Sequence, residues 1–302
     1  MGTPAAEINI TEPLVRRLLH SQCQQYAELA ISELDVGWDN VMLRLGETMT
    51  IRLPRRKEAA PLVLSEQKWL PMFAERLAAE QSVIQIPAPF FCGRPEGEYP
   101  WHWSILPYLE GETADLSWPA ANQGAPLAEF LLAVHGPADE DAPNNPYRGL
   151  PLQDRKDMIE ARLTPLYDAG HIEKRPIETI WQRALAAPKY RKKCWLHGDL
   201  HARNVLVNDG AISAAIDWGD MTSGDVATDL AAIWYLLPNQ GARLEALSAY
   251  GASDAQRIRA AGWAVNIGAV LLESGLVDHA RHAEMGRVTF DRLITDHQAG
   301  II

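Results

Sequence analysis

The sequence predicts an α+β protein in two parts, a small mixed part first and a larger, mainly helical part behind it. Its 302 residues exceed the usual range of one domain and suit two. Two short strand-like runs split by a glycine turn lie in the first part, whereas almost everything after residue 108 carries apolar residues at helical spacing. One β island with an Asp-Gly turn interrupts the helical part. Strands gathered at one end and helices at the other form the α+β pattern.

In chain order, residues 12–34 place Leu14, Val15, Leu18 and Leu19 at helical spacing and read as one or two short helices. Asn40–Leu45 and residues 48–53 read as strands joined at Gly46-Glu47, an antiparallel hairpin ended by Pro54. Residues 65–79 follow as a helix, with Ser65 as its cap and Trp69, Leu70, Phe73 and Leu77 on one face. Pro87 and Pro89 break the chain, residues 101–108 are aromatic and β-prone, and Leu109-Glu110-Gly111-Glu112 is the crossing between the parts. Helical spacing then marks residues 127–135, 152–169, 176–187, 226–237, 243–250, 255–276 and 280–297. The β island is Val205-Leu206-Val207, the turn Asn208-Asp209-Gly210 and residues 212–216. We draw the boundary so that the parts are 1–107 and 108–302.

An apolar content of 47% with 22% charged residues is that of an ordinary globular chain. No apolar run approaches the roughly 20 residues of a membrane helix, and Met1-Gly2-Thr3-Pro4-Ala5-Ala6-Glu7 lacks a basic segment followed by an apolar one. The expectation is a cytoplasmic protein with no membrane partner, as a monomer or homodimer. Cys23, Cys92 and Cys194 are scattered, without the spacing of a disulfide framework or zinc site. A net charge of -11 argues against nucleic acid, whose phosphates require clustered Lys and Arg. The first 107 residues hold 10 basic and 13 acidic side chains and the rest 18 and 26, so the acidic excess lies in the second part. It would concentrate a cationic ligand in a cleft or simply form a solvated surface.

The chemistry is written in Trp195-Leu196-His197-Gly198-Asp199-Leu200-His201-Ala202-Arg203-Asn204 and, after the hairpin, Ile216-Asp217-Trp218-Gly219-Asp220. Asn204 offers an amide oxygen and Asp217 a carboxylate from the two ends of one hairpin, hard ligands of the kind that magnesium takes one or two at a time. Asp199, five positions before Asn204, would then orient or deprotonate a hydroxyl. His197 and His201 are four apart, but Gly198 and the lack of a suitably spaced third ligand speak against zinc.

The order His-Gly-Asp-x-x-x-x-Asn, hairpin, Ile-Asp-Trp-Gly-Asp resembles the catalytic and metal loops of the aminoglycoside phosphotransferase family, which shares the protein-kinase fold. The resemblance implies a bilobal protein-kinase-like fold, with residues 1–107 as nucleotide-binding lobe and residues 108–302 as catalytic and substrate-binding lobe. It implies Asp199 as catalytic carboxylate, Asn204 and Asp217 as Mg2+ ligands, and His197 as support for the loop. Asp225-Val226-Ala227-Thr228-Asp229-Leu230-Ala231 is similar to the family's next segment, in which Asp229 would cap a helix and brace the catalytic loop. Arg52 stands where a kinase has its phosphate-contacting lysine, with Glu66 as its partner on the following helix. The carbonyl of Pro107 and the amide of Leu109 would meet the nucleotide base, and Gly37 is the one glycine available to bend the chain over the phosphates.

The activity so implied is transfer of the terminal phosphate of ATP or GTP to a hydroxyl of an aminoglycoside-like small molecule. Macrolides, or a metabolic alcohol such as choline, homoserine or a sugar, are alternative acceptors, and a catalytically silent nucleotide-binding protein is an alternative of another class. A protein-directed kinase would carry an activation segment ending in Ala-Pro-Glu, which this sequence lacks. Arg55, Arg56 and Lys57 read as a solvated charge run, and Trp38, Trp101, Trp103 and Trp118 as core or lobe-interface residues. Asp220 and Asp225 read as loop caps or as ligands of a second metal or a substrate amine. Glu273, Asp278, His279 and Glu284 are candidates for the acceptor pocket.

Overall fold

Thr11 opens the first helix of the computed structural model, its hydroxyl accepting the Leu14 N–H, with Pro13 in the first turn. Residues 5–37 and 39–302 are described; Trp38 and the N-terminal residues 1–4 lie outside the described residues. The chain divides into two compact units, one of Met1–Ala78 with Gln85–Leu109, the other of Ala79–Ile84 with Glu110–Ile302.

In the first unit, α1 (Glu12–Gln22) ends well short of the expected helical stretch. Arg16 then reaches the carbonyl of Leu29 at 2.7 Å, folding the chain back, and residues 31–36 form a strand, β1 (Ile31–Val36). That strand escaped the sequence reading because nearly all its side chains are exposed. An edge strand exposed on both faces carries no apolar alternation, and its backbone pairing alone makes it a strand. It pairs antiparallel with β2 (Asn40–Leu45), which pairs with β3 (Met49–Pro54) through a turn at Gly46, φ +59°.

The helix after the hairpin, α2 (Ala60–Ala79), begins five residues before Ser65. Pro61 suits the first turn, where a missing N–H costs nothing, so Ser65 lies inside the helix and caps nothing. β4 (Phe91–Gly93) and β5 (Trp103–Pro107) complete a sheet of order β1-β2-β3-β5-β4. Leu14, Val15, Leu18 and Leu19 of α1 pack on Leu43, Leu45, Ile51, Leu53, Trp103 and Ile105 of the sheet. Gly93 is required there: a Cβ on it would lie 2.0 Å from the Trp103 ring.

The second unit is mainly helical. After β6 (Glu112–Thr113) come α3 (Gly124–Val134), α4 (Lys156–Asp168) and α5 (Lys174–Ala186). β7 (Cys194–Leu196) enters the motif-bearing loop, and β8 (Val205–Asn208) and β9 (Ala211–Ala215) form the expected hairpin. Asp209 and Gly210 both have positive φ, +48° and +78°, as a two-residue hairpin turn with right-handed strand twist requires. β6 adds to β8, and β10 (Thr222–Gly224) pairs antiparallel with β7. Strands of two or three residues leave no periodicity to read, which is why β6, β7 and β10 were not expected.

The predicted helix 226–237 is two short helices, α6 (Ala227–Leu230) and α7 (Ala232–Leu236), followed by α8 (Gln240–Ala249), α9 (Asp254–Asp278) and α10 (Ala280–Gln298). α9 is long and apolar enough by length and composition to cross a membrane, and 72% of its apolar window is buried inside the protein. Trp181, Trp195, Trp218, Trp234 and, on α9 itself, Trp263 are fully buried.

Candidate active site

Three of the sequence-predicted residues meet in the second unit. β7 delivers the chain into His197, which is wholly buried. Its Nδ1 accepts the Asp199 N–H at 3.3 Å, so its Nε2 carries the proton and donates to the Ile216 carbonyl at 3.1 Å. The imidazole therefore ties the Asp199 loop to the strand end that precedes Asp217 and has no ring nitrogen left for chemistry. Gly198 follows at φ +87°, and a Cβ there would lie 2.4 Å from the Asp220 carbonyl. Only glycine fits.

Asp229, fully buried in α6, accepts the N–H groups of His197 at 2.6 Å and Gly198 at 2.9 Å, and His135 Nε2 lies 3.3 Å from it. Burial opposes its charge, but these hydrogen bonds and the nearby imidazoles prevail and hold the carboxyl below its ordinary value. Asp229 braces the loop as expected but caps no helix. The turn into α6 is held by Asp225, whose Oδ1 accepts the Ala227 N–H at 3.1 Å while its carboxylate is ion-paired to Arg259 at 2.6 Å. A buried, paired Asp225 is a structural group and not a ligand for a second metal or an amine.

Asp199 has two differently engaged oxygens. Oδ1 accepts from Arg148 Nη2 at 2.6 Å; among the described residues Oδ2 has only His201 Nε2 and Asn204 Nδ2, each at 3.4 Å. Burial pushes its carboxyl up, but His201, Arg148 and His197 outweigh that and keep it below its ordinary value. Asp220, by contrast, is raised by burial and by the charge of Asp199.

Asn204 is buried, its Nδ2 donating to the Asp199 carbonyl at 2.9 Å, and its own carbonyl receives the Ile216 N–H at 2.8 Å. The open end of the β8–β9 hairpin thus places Asn204 and Asp217 on adjoining chains. Asp217 itself sits in the left-handed region, φ +59°, a conformation found where a site fixes a side chain against local preference. An amide oxygen and a carboxylate suit a hard divalent cation that fills its other positions with water and phosphate oxygens. No group of three or more His, Cys, Asp or Glu among the described residues forms an all-protein metal cage.

The remaining predicted residues lie in the first unit. Arg52 on β3 and Glu66 on α2 are ion-paired at 2.8 Å, both buried. With the Asn40 amide turned oxygen-inward, Arg52 Nη2 and Nε donate to it at 3.1 and 3.2 Å. Pro107 ends β5 opposite Met49, and the next residue, Tyr108, donates its N–H to Thr48. In an antiparallel ladder that alternation turns the Pro107 carbonyl away from β3, and the missing N–H removes no ladder bond. Leu109 is the last residue of this unit. Arg55 and Arg56 are not a solvated run: Arg55 donates to the Gly37 carbonyl at 3.0 Å and Arg56 to the Asp39 carboxylate at 2.7 Å.

A family model described as "Phosphotransferase enzyme family" matches residues 30–263. The chain belongs to this phosphotransferase family. It is an enzyme, a kinase acting on hydroxyl groups. Among solved structures, the GDP complex of wild-type aminoglycoside 2'-phosphotransferase-IIIa is similar over 95% of this chain and 100% of its own, with TM-score 0.64 at 13% identity. The gentamicin complex of APH(2")-IIa covers 95% of this chain and 97% of its own at TM-score 0.56 and 17% identity. The apoenzyme of macrolide 2'-phosphotransferase MphH from Brachybacterium faecium covers 92% and 97% at TM-score 0.57 and 19% identity. At such identities the likeness establishes the fold, which is the kinase-like fold of this family. A comparison with curated protein sequences gives no match.

Two groups at the phosphotransferase loop were missed from the sequence. Arg148 is 51 residues from Asp199, and His135, whose Nδ1 meets the Tyr250 hydroxyl at 2.8 Å, is 94 residues from Asp229. Neither sits in a motif; only the folded chain brings them there. Of the acceptor candidates on the last helices, Glu273 pairs with Arg162 and Glu284 with Arg287, and the His279 side chain caps α10.

Proposed function

We propose that this phosphotransferase moves the terminal phosphoryl group of ATP or GTP onto a hydroxyl of an aminoglycoside-like small molecule. The observation that carries the reading is the hydrogen-bonded set of Asp199, Asn204 and the Ile216–Asp217 strand end on one braced loop and hairpin. The nucleotide and aminoglycoside complexes of the similar structures support it: GDP with kanamycin, and streptomycin with ATP.

In this reading Asp199, kept ionised by its neighbours, accepts the hydrogen bond of the acceptor hydroxyl, aims its oxygen at the phosphorus and takes up its proton. Asn204 and Asp217 would hold Mg2+. Bound there, Mg2+ would supply positive charge against the phosphate oxygens. Arg52, held by Glu66 and Asn40, offers its positive charge to the nucleotide phosphates, and the Pro107 carbonyl and Leu109 amide receive the base.

A macrolide or a metabolic alcohol (choline, homoserine or a sugar) as acceptor is the second reading, and one observation favours it. Four carboxylates of the second unit are already paired with arginines: Asp115 with Arg281, Glu273 with Arg162, Asp225 with Arg259 and Asp296 with Arg243. Carboxylates so paired are poor anchors for a polycation.

Release of nucleoside diphosphate by the purified protein with Mg2+ and ATP or GTP, across aminoglycosides, macrolides and small amino alcohols, tests both readings. Release with one acceptor class names the substrate. Nucleotide binding without release for any acceptor, in wild type and Asp199→Asn alike, would instead indicate a silent binding protein.

A further inference from the structure

Arg148 lies in a segment stiffened by Pro143, Pro146 and Pro151 and pinned on both sides. Before it, Asn145 donates its backbone N–H to the Thr222 hydroxyl oxygen at 3.1 Å and its Nδ2 to Asp220 Oδ1 at 2.7 Å. After it, Gly149 turns at φ +70°, and its carbonyl accepts the Asp225 N–H at 3.1 Å while lying 2.1 Å from where a Gly224 Cβ would stand. The backbone that carries Arg148 is thus locked to β10 and to the residues that flank it.

From that anchor the guanidinium reaches two carboxylates, Asp199 Oδ1 at 2.6 Å and Asp220 Oδ2 at 3.8 Å. The charge-assisted bond to Oδ1 is short, whereas the contacts of Oδ2 are long. A carboxylate that must present one oxygen to a hydroxyl needs its rotamer fixed, because displacement by about 1 Å costs about 100-fold in rate.

We propose that Arg148 is a positioning residue for phosphoryl transfer: by holding Oδ1 of Asp199 it fixes the carboxylate so that Oδ2 receives the acceptor hydroxyl. Asp220 is the second arm of this device and limits the swing of the guanidinium. The inference rests on the reading of Asp199 given above.

The test uses the full chain, with water as the acceptor in Mg2+-dependent ATP and GTP hydrolysis, and a crystal structure of Arg148→Ala. The expected result is a fall of about 100-fold in kcat with the nucleotide KM unchanged. Part of the rate returns with added guanidinium chloride or in Arg148→Lys, and the Asp199 side chain turns away from its wild-type rotamer. Arg148→Ala with wild-type kcat, or with Asp199 in its wild-type rotamer, overturns the proposal, as does a loss that neither guanidinium nor lysine relieves. Asp199→Asn is assayed in parallel. If it is inactive while Arg148→Ala is unaffected, only the role of Arg148 falls; if it turns over like the wild type, the reading of Asp199 falls and this inference falls with it.

Discussion

Arg52 and Glu66 meet at 2.8 Å with 6% and 4% of their side chains exposed, so one strand and one helix of the first unit are joined by an ion pair that water barely reaches. Removing one partner of such a pair strands the other charge. Glu66→Ala is therefore expected to destabilise the protein by about 3–5 kcal/mol, measured by urea unfolding. Arg52→Lys keeps the charge but loses the fork onto Asn40, and is expected to raise the nucleotide KM more than it lowers stability.

Gly198 makes a second prediction. Alanine there combines a left-handed backbone, a cost of about 1–2 kcal/mol, with a Cβ 2.4 Å from the Asp220 carbonyl. Gly198→Ala should abolish turnover and lower Tm. Gly97→Ala, at φ +58° with nothing within 4 Å of its Cβ, meets the backbone cost alone and should leave turnover intact.

Asp229 sets a pH dependence. Its folded pKa is depressed, so the unfolded chain holds the proton more tightly. Its stabilisation is complete above the ordinary carboxylate value of 3.8 and is lost as the pH falls through the lower folded value. Asp229→Asn replaces an acceptor of two backbone N–H groups and is expected to cost about 1–3 kcal/mol at neutral pH. The gap between wild type and variant should narrow as the pH drops into that acid window; a constant gap in denaturant titrations down the pH scale would contradict the assignment.

Asp199→Asn is expected to lower kcat by about 10²–10⁴-fold with nucleotide binding retained. Asn204→Ala and Asp217→Asn should instead raise the Mg2+ concentration needed for half-maximal rate by more than roughly tenfold. Metal titrations of the three variants separate the two roles.

Much of the site was legible because its logic is local. Asp199, Asn204 and the turn Asp209-Gly210 stand within a dozen residues, and Gly198 is demanded by the backbone at its own position. The start of α2 was misjudged because Ser65 and Pro61 offer competing signals, and the proline at the first turn wins. β1 was missed because it exposes nearly all its side chains and depends on its neighbour for pairing.

The sequence by itself determined the α+β class, the β8–β9 hairpin and the order of the chemical residues, since each follows from spacing, turn conformation or side-chain type over a few positions. Tertiary structure alone decided which charges meet. It brought Arg148 to Asp199 and His135 to Asp229, paired Asp225 with Arg259, and turned Arg55 and Arg56 from a charge run into partners of Gly37 and Asp39. The physical reason is range: a turn is fixed by its own dihedral angles, whereas a buried ion or hydrogen-bond partner is chosen by whatever group the packed chain brings within about 3 Å.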